Sequence, residues 1–435
     1  MNKGNQILRA IGKLLGRLLG SRLVTDSFWA IFGNVIAKGL ALAAGIVVAR
    51  ILGKEVFGSY GIIKTTLLSL AVFSSFGLGF TTTKFLAETE DNLKQSAIVK
   101  HAYVISFGFG SVIAALLAIF SNLLAGQVLN APELVAPLRI LAILVVFNAV
   151  IAAQVGIFSG LGKFRELAKI NSLLGVITFF LSFLLATYYG FNGALAALAV
   201  AQLFNLILNF YKINKLLPNV YIPIDRHLTQ VLLKFSLPVV LQEGIYVLSS
   251  WLVAYLVVIY ADFGEFGMYT AAMQWNAVVL FVPGILSNVM LSHLSAQTSN
   301  AVRHQHLFKA TLGINIFTTI LPALAVGLFS GFIAKLYGPS FDGLGHLIAL
   351  SVISSVLISI SNLYAQAYLS KGLNWQMLGF RVFRDVGILV LTYVVFTFNY
   401  SIPSAAYAPV LSGLILHTLF LILMMGFYRY NRTWS

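Results

Sequence analysis

Residues 27–51 read SFWAIFGNVIAKGLALAAGIVVARI, and this stretch decides the fold class. It is mostly apolar, with Ser27 and Asn34 as neutral polar residues and two charges, Lys38 in the interior and Arg50 near the far end. About 20 mostly apolar residues suffice for a helix to cross the hydrocarbon core of a bilayer. Applying the same ruler along the chain gives twelve stretches: 27–51, 58–80, 102–125, 138–160, 170–190, 193–211, 235–260, 266–290, 310–336, 344–369, 376–398 and 404–427. The runs are continuous rather than alternating, which favours helices over the strands of a membrane β-barrel. The expected fold is therefore an all-α polytopic membrane protein of about twelve transmembrane helices.

Composition agrees. The 435 residues are 59% hydrophobic and 9% charged, against about 25% charged in ordinary soluble domains. That leaves no room for a soluble enzyme domain, and no Walker motif or metal-ligand spacing is present. The chain has no cysteine, which excludes disulfides, cysteine metal sites and thiol chemistry. The formal net charge of +15 would suggest nucleic acid in a soluble protein, but here it is spread over short loops. Placing the N-terminus in the cytoplasm puts twenty of the loop and terminal basic residues on that side. Lys54, Lys335, Arg50 and Arg139 fall on the other. Both termini are thus expected in the cytoplasm.

Five segments follow. Residues 1–26 form a basic amphipathic leader in which Arg9, Lys13 and Arg17 recur against Ile7, Leu8, Ile11, Leu14, Leu15 and Leu18. That period fits a helix lying in the membrane interface. Its acid-poor character also fits a transit peptide, but the stripe runs straight into the first span. Residues 27–211 form a first lobe of six spans and 235–428 a second. Residues 212–234 link them, with two prolines and a charge cluster, and 429–435 are a cytoplasmic tail. The lobes echo each other. Phe57-Gly58-Ser59-Tyr60 follows the first span and Phe266-Gly267-Met268-Tyr269 the seventh, both F-G-x-Y. FNGALA at 191–196 has a weaker counterpart in SIPSAA at 401–406. Six spans per repeat is an even number, so the repeats are parallel, about an axis along the membrane normal.

Charges within spans are costly, at least ~2.5–3.5 kcal/mol each near the bilayer centre, and normally face a cavity or a partner. Four are basic: Lys38, Lys64, Arg381 and Arg384. Together they suggest a shared cationic cavity for an anion. Guanidinium matches phosphate bidentately, which lysine does not. Lys64, near a span end, can instead snorkel to the interface. Asp385 lies four residues after Arg381, so a pair along one helix face is the bland alternative for Arg381. Glu243 is the acid within the seventh span, and with Asp385 it is a candidate for coupling to a proton or sodium gradient. Asn148, Gln154, Asn362 and Gln366 can line a cavity or hold helices together. Trp251, Tyr255, Trp275 and Tyr364 can stack on sugar rings or pack in the core. His346 and His417 read more simply as packing residues. Pro238, Pro283, Pro322 and Pro409 mark places where spans can kink.

Ala49-Arg50-Ile51-Leu52-Gly53-Lys54-Glu55-Val56-Phe57-Gly58-Ser59-Tyr60 ends the first span, with Gly77-Leu78-Gly79 and Phe85-Leu86-Ala87-Glu88 after the second. Gly160-Leu161-Gly162-Lys163-Phe164, Phe235-Ser236-Leu237-Pro238 and Glu265-Phe266-Gly267-Met268-Tyr269 follow in order. This series resembles the polysaccharide (O-antigen) flippases of the multidrug/oligosaccharidyl-lipid/polysaccharide exporter superfamily, from about Phe28 to Tyr428. The resemblance implies two six-helix lobes around a V-shaped cavity in a bacterial inner membrane. It implies movement of an undecaprenyl-pyrophosphate-linked sugar unit between leaflets by alternating access, alongside polysaccharide polymerase or ligase machinery. The residues form no catalytic constellation, so no enzyme activity is expected, and no cofactor is expected beyond a proton or sodium gradient. Drug exporters of the superfamily, the alternative, often carry an acid in the first span, where this chain has Lys38.

Overall fold

The computed structural model describes residues 22–217, 223–284, 294, 301–371, 373–398 and 402–430. The basic stripe before Arg22, the middle of the inter-lobe linker and the end of the tail lie outside the described residues. Among those described the secondary structure is helical, with no strand. The first two spans, within Arg22–Ser75, are separated at Gly53 (φ 72, ψ 168) into α1 (22–52) and α2 (54–75). Positive φ is the conformation glycine adopts without steric cost, so Gly53 sets the turn between two antiparallel spans. A second break at Phe76 and Gly77, both at positive φ, separates α2 from the short α3 (Leu78–Ala87). The expected single span 58–80 therefore ends earlier and restarts as a separate helix.

Next come α4 (Asn92–Leu123), started by the Asp91 side chain accepting from the Leu93 amide, and α5 (Val135–Gly160). The helix Phe164–Asn214 is broken at Gly190 (φ 55, ψ −131) into α6 (164–189) and α7 (191–214). Helix α8 (Arg226–Tyr260) begins at an Asp225 cap, so helices enter the expected linker from both ends. The second lobe continues with α9 (Phe263–Val279), α10 (Ala301–Leu328), the short α11 (Ser330–Tyr337), α12 (Leu344–Ser370), α13 (Asn374–Thr397) and α14 (Tyr407–Tyr430).

Eight helices among the described residues are long and apolar enough to cross a membrane. Two of these segments each hold two spans, separated at Gly53 and Gly190, which makes ten spans. Helix α9, which is 17 residues long, and α13, which carries three charges, complete the twelve. Breaks fall at Gly53, at Phe76–Gly77 and at Gly190, and α9 ends at its Leu280 cap, just before the expected Pro283. The helix containing Pro322 runs on uninterrupted, and Pro409 sits in the first turn of α14. A proline at a helix start loses no hydrogen bond, because the first amides have no intrahelical partner.

The two F-G-x-Y repeats meet. A Cβ on Gly58 would lie 1.6 Å from the Phe263 carbonyl oxygen and 3.1 Å from the Gly267 nitrogen. A Cβ on Gly267 would lie 2.2 Å from the Lys54 carbonyl oxygen and 3.2 Å from the Gly58 nitrogen. Each glycine thus abuts the carbonyl four residues before the other, the reciprocal contact that a two-fold axis generates. The pseudo-dyad passes between these glycines. Phe57 packs edge-on against Phe341 here, and the largest buried cluster draws on both lobes, including Phe57, Ile62, Phe266, Tyr337 and Phe341.

Two seams run from this point. Along α2–α8, the Trp251 indole donates to Thr66 Oγ1 at 2.9 Å, and the Ser69 hydroxyl donates to the Val247 carbonyl at 3.4 Å. Where α3 takes over, Thr81 and Ser236 hydroxyls lie 2.6 Å apart and the Phe85 and Phe235 rings meet edge-on. Along α1–α9, Gly45 meets the Gln274 side chain, and Lys38 lies over the ring of Phe281, two residues past the end of α9.

Candidate functional site

Five helices of the second lobe, α8, α9, α12, α13 and α14, enclose a cavity of about 400 Å³. Its walls hold Glu243 and Tyr246 from α8, Tyr269 and Asn276 from α9, Asn362 from α12, Arg381, Arg384 and Asp385 from α13, and His417 from α14. The sequence places Arg381, Arg384 and Asp385 on one helix. Only the packing brings Glu243, nearly 140 residues earlier, to the same space.

The pairing differs from the expectation. Arg381 Nη1 reaches Glu243 Oε1 across α13–α8 at 3.8 Å, and Arg384 Nε donates to Asp385 Oδ1 at 2.7 Å. The i, i+4 arrangement of Arg381 and Asp385 is thus replaced by one interhelical pair and one pair between neighbours. Arg384 and Asp385 are buried, so a short charge-assisted bond between them compensates lost hydration. The Arg384 guanidinium also lies 5.0 Å from the centre of the Phe420 ring, a cation–π geometry. Arg384 is therefore the more committed of the two arginines. Arg381 and Glu243 keep about a third and nearly half of their side-chain surface exposed. Their pair is the longer and the more exposed of the two.

A polar floor supports this wall. The Asn276 amide donates to the Ser351 carbonyl at 2.9 Å and to Ser354 Oγ at 3.1 Å. Asn276 was not singled out from sequence. It sits in an unremarkable run, AMQWNAVV, and its role depends on where α12 passes. His417 Nδ1 is buried without a hydrogen-bond partner on the Arg384 side of the cavity.

Lys38 and Lys64 stand elsewhere, so the four intramembrane cations do not share one pocket. Lys38 is exposed on the α1 face that meets α9, with Nζ 4.9 Å from the Phe281 ring centre. Lys64 is also accessible, although protein surrounds that depth of the molecule. Accessible surface inside a crowded interior belongs to a side chain lining a cleft. Leu68, one turn on, is exposed on the same face, and Gly61, one turn back, meets Thr270 of α9. Both lysines thus belong to the inter-lobe region.

The other polar candidates separate similarly. In the first lobe the Asn148 amide donates to Gln202 Oε1 at 2.6 Å, and Gln154 donates to the Leu206 carbonyl at 3.2 Å. These side chains tie α5 to α7. Gln366 is half-buried on α12 outside the cavity lining, and Tyr364 packs among Phe308 and Tyr428. Trp251 stacks on Tyr255, and the Trp275 indole donates to the Tyr337 hydroxyl at 3.0 Å. His346 is exposed at the start of α12. Among the described residues no group of acidic and histidine side chains is arranged to hold a metal ion.

The fold matches solved transporters nearly end to end. An inward-facing multidrug resistance MATE family transporter of the MOP superfamily aligns with TM-score 0.76 at 15% identity, covering 93% of this chain and 98% of that one. An outward-facing structure of a MATE family transporter of the MOP superfamily gives 0.70 at 16% identity, covering 96% and 97%. A MOP superfamily transporter from Pyrococcus furiosus, described as having a binding pocket of reverse polarity that suggests a different function, gives 0.66 at 14% identity and 95% of each chain. An uncharacterized membrane protein of Methanocaldococcus jannaschii is 25% identical over 196 residues, 45% of this chain. That match spans about half (46%) of the curated relative's length. Residues 23–291 match the model of the polysaccharide biosynthesis protein family, crossing the first lobe, the linker and the start of the second. On the α-helical two-lobed fold of the MOP superfamily, this chain belongs to the polysaccharide biosynthesis protein family.

Proposed function

We propose that the protein is a flippase. It moves a polyprenyl-pyrophosphate-linked oligosaccharide from the cytoplasmic to the opposite leaflet of a bacterial inner membrane by alternating access, feeding O-antigen, capsule or exopolysaccharide synthesis. The observation that carries this reading is the charge balance at membrane depth: Lys38, Lys64, Arg381 and Arg384 against Glu243 and Asp385. The arginines are paired, so the net positive charge comes from the two lysines beside the inter-lobe cleft. Phosphate and acidic sugars are attracted there, and Arg381 offers a fork to a phosphate once Glu243 lets go. The reverse-polarity pocket described for the Pyrococcus furiosus transporter is a precedent for this fold handling a different class of substrate. The polyprenyl tail stays in lipid while the head group passes between lobes 27–211 and 235–428, hinged on the 212–234 linker. Both termini face the cytoplasm, and the chain performs no catalysis.

Energy comes from a proton or sodium gradient, with Glu243 and Asp385 as coupling groups. Protonating Glu243 or binding a cation to it frees Arg381 for substrate, which links ion and substrate through one salt bridge. Polysaccharide polymerase or ligase machinery takes the product. The drug-exporter alternative is favoured by one observation, two acids in a second-lobe cavity on a fold shared with multidrug transporters. The test is transbilayer movement in proteoliposomes of a polyprenyl-pyrophosphate oligosaccharide beside a cationic dye. Protein-dependent movement of the lipid-linked sugar, lost in Lys38→Ala and Arg381→Ala, is the expected result. Movement of the dye alone replaces the flippase reading with the exporter.

A further inference from the structure

Helix α8 opens the second lobe in sequence, but its first residues pack inside the first lobe. Leu232 is fully buried in a cluster whose other core members, Leu78, Ala102, Ile105 and Ala153, come from α3, α4 and α5. Leu228 packs against the same cluster and against its neighbour around Leu86, Ile98 and Phe158. The Phe235 ring meets Phe85 edge-on, and Lys84 Nζ lies 4.2 Å from its centre. The Ser236 hydroxyl lies 2.6 Å from that of Thr81. The second-lobe cluster built on Phe308, Tyr368 and Phe420, from α10, α12 and α14, takes no described residue of α8.

The start of α8 is tied down by His101 of α4, which is buried. Its Nδ1 lies 2.7 Å from the Ala97 carbonyl, so Nδ1 carries a proton and donates it there. In the neutral ring Nε2 then keeps a lone pair, and it accepts from the Asp225 amide at 2.8 Å. The Asp225 carbonyl, 3.1 Å from the same nitrogen, accepts from the Thr229 amide at 3.1 Å and from its hydroxyl at 2.9 Å. Asp225 is also the cap of α8, its carboxylate accepting from the His227 amide at 2.9 Å. One imidazole thus joins α4 to the cap of α8.

Beyond Ser236 the helix has partners in both lobes. On the α2 side Gly244 meets the Phe73 ring and Trp251 donates to Thr66. On the other side Glu243, Tyr246, Ser250 and Val253 line the second-lobe cavity, and Glu243 pairs with Arg381 of α13. Pro238 lies where the change occurs. A proline has no amide proton, so α8 lacks one helical hydrogen bond at this point.

We propose that residues 225–236 are a fixed part of the first lobe, held by His101 as a positioning residue, and that inter-lobe movement enters α8 between Ser236 and Glu243. On the alternating-access reading, on which this rests, the hinge narrows from the 212–234 linker to about two turns of helix around Pro238.

The test is double electron–electron resonance on the full-length chain, which has no native cysteine to compete for the label. Nitroxides are carried on exposed positions in two pairs, Lys234→Cys with Leu93→Cys of α4 and Lys234→Cys with Trp375→Cys of α13. As pH and sodium concentration are varied, the 234–93 distance should stay narrow and fixed while the 234–375 distance is broad and shifts. Equal breadth in the two pairs, or a 234–93 distance that shifts as much as the other, overturns the proposal. His101→Ala should broaden the 234–93 distribution. His101→Gln, whose amide oxygen is able to accept from the Asp225 amide, should restore it. A 234–93 distribution unchanged in His101→Ala removes His101 from its positioning role, and the unsubstituted His101 pairs decide the hinge without relying on that variant folding. No transported molecule is present, so failure of the flippase reading leaves the outcome intact.

Discussion

The two ion pairs of α13 differ in what each residue risks. Asp385 and Arg384 are buried together, and removing one partner leaves the other charge without hydration or a counter-ion. Breaking such a pair costs about 3–5 kcal/mol. Asp385→Ala is therefore expected to lower the melting temperature in detergent markedly. Glu243→Gln, at a half-exposed pair, should leave it nearly unchanged, because solvent screens exposed pairs to about 0–1 kcal/mol. Equal loss in both variants would show that burial does not separate the pairs. In transport the order reverses: Glu243→Gln should uncouple movement from the ion gradient while keeping the protein folded. A gradient-dependent rate unchanged in that variant removes Glu243 from the coupling scheme.

These residues were all visible in the sequence as charges inside apolar runs, since insertion cost alone makes them conspicuous. Their partners were not. Helical spacing favours Arg381 with Asp385, but a side chain pairs with whatever the neighbouring helix presents, and α8 presents Glu243. Asn276 had no signal at all, because a single amide in an apolar helix reads the same whether it faces lipid, packing or a cavity.

At the scale of elements, glycines set the turns between paired spans at Gly53 and Gly190. Gly190 joins α6 to α7 with φ 55 and ψ −131, a combination open to glycine and strained for other residues by about 1–3 kcal/mol. Gly190→Ala should lower the melting temperature by that equivalent, whereas Gly39→Ala, at a helical site with open space, should leave it unchanged or raise it slightly. Indistinguishable melting curves for the two variants would refute the assignment of the turn to Gly190. The turn was legible one residue away, at FNGALA, because a break is needed between two antiparallel spans and the local composition supplies it.

For the whole molecule the decisive contact is Gly58 against Gly267. Any side chain at either position drives a Cβ into a backbone carbonyl of the other lobe. Gly58→Ala should therefore separate the lobes at that end. The chain has no native cysteine, so the change is readable with a single Thr270→Cys label in the inter-lobe contact with Gly61. A membrane-impermeant thiol reagent applied from the side opposite the termini should modify this cysteine faster in the Gly58→Ala background. An unaltered rate would show that the glycine contact does not hold the lobes closed.

The sequence by itself determined the all-helical membrane class, the twelve spans, the internal duplication and which charges lie inside apolar runs. Each of these follows from local composition and from the cost of moving polar groups into lipid. Tertiary structure alone decided that the F-G-x-Y repeats touch across a pseudo-dyad. It also decided that the arginines and lysines occupy different spaces, and that Glu243 rather than Asp385 faces Arg381. These outcomes depend on which helix faces meet after folding, and a chain of apolar spans with similar periodicity does not encode that choice in any one of them.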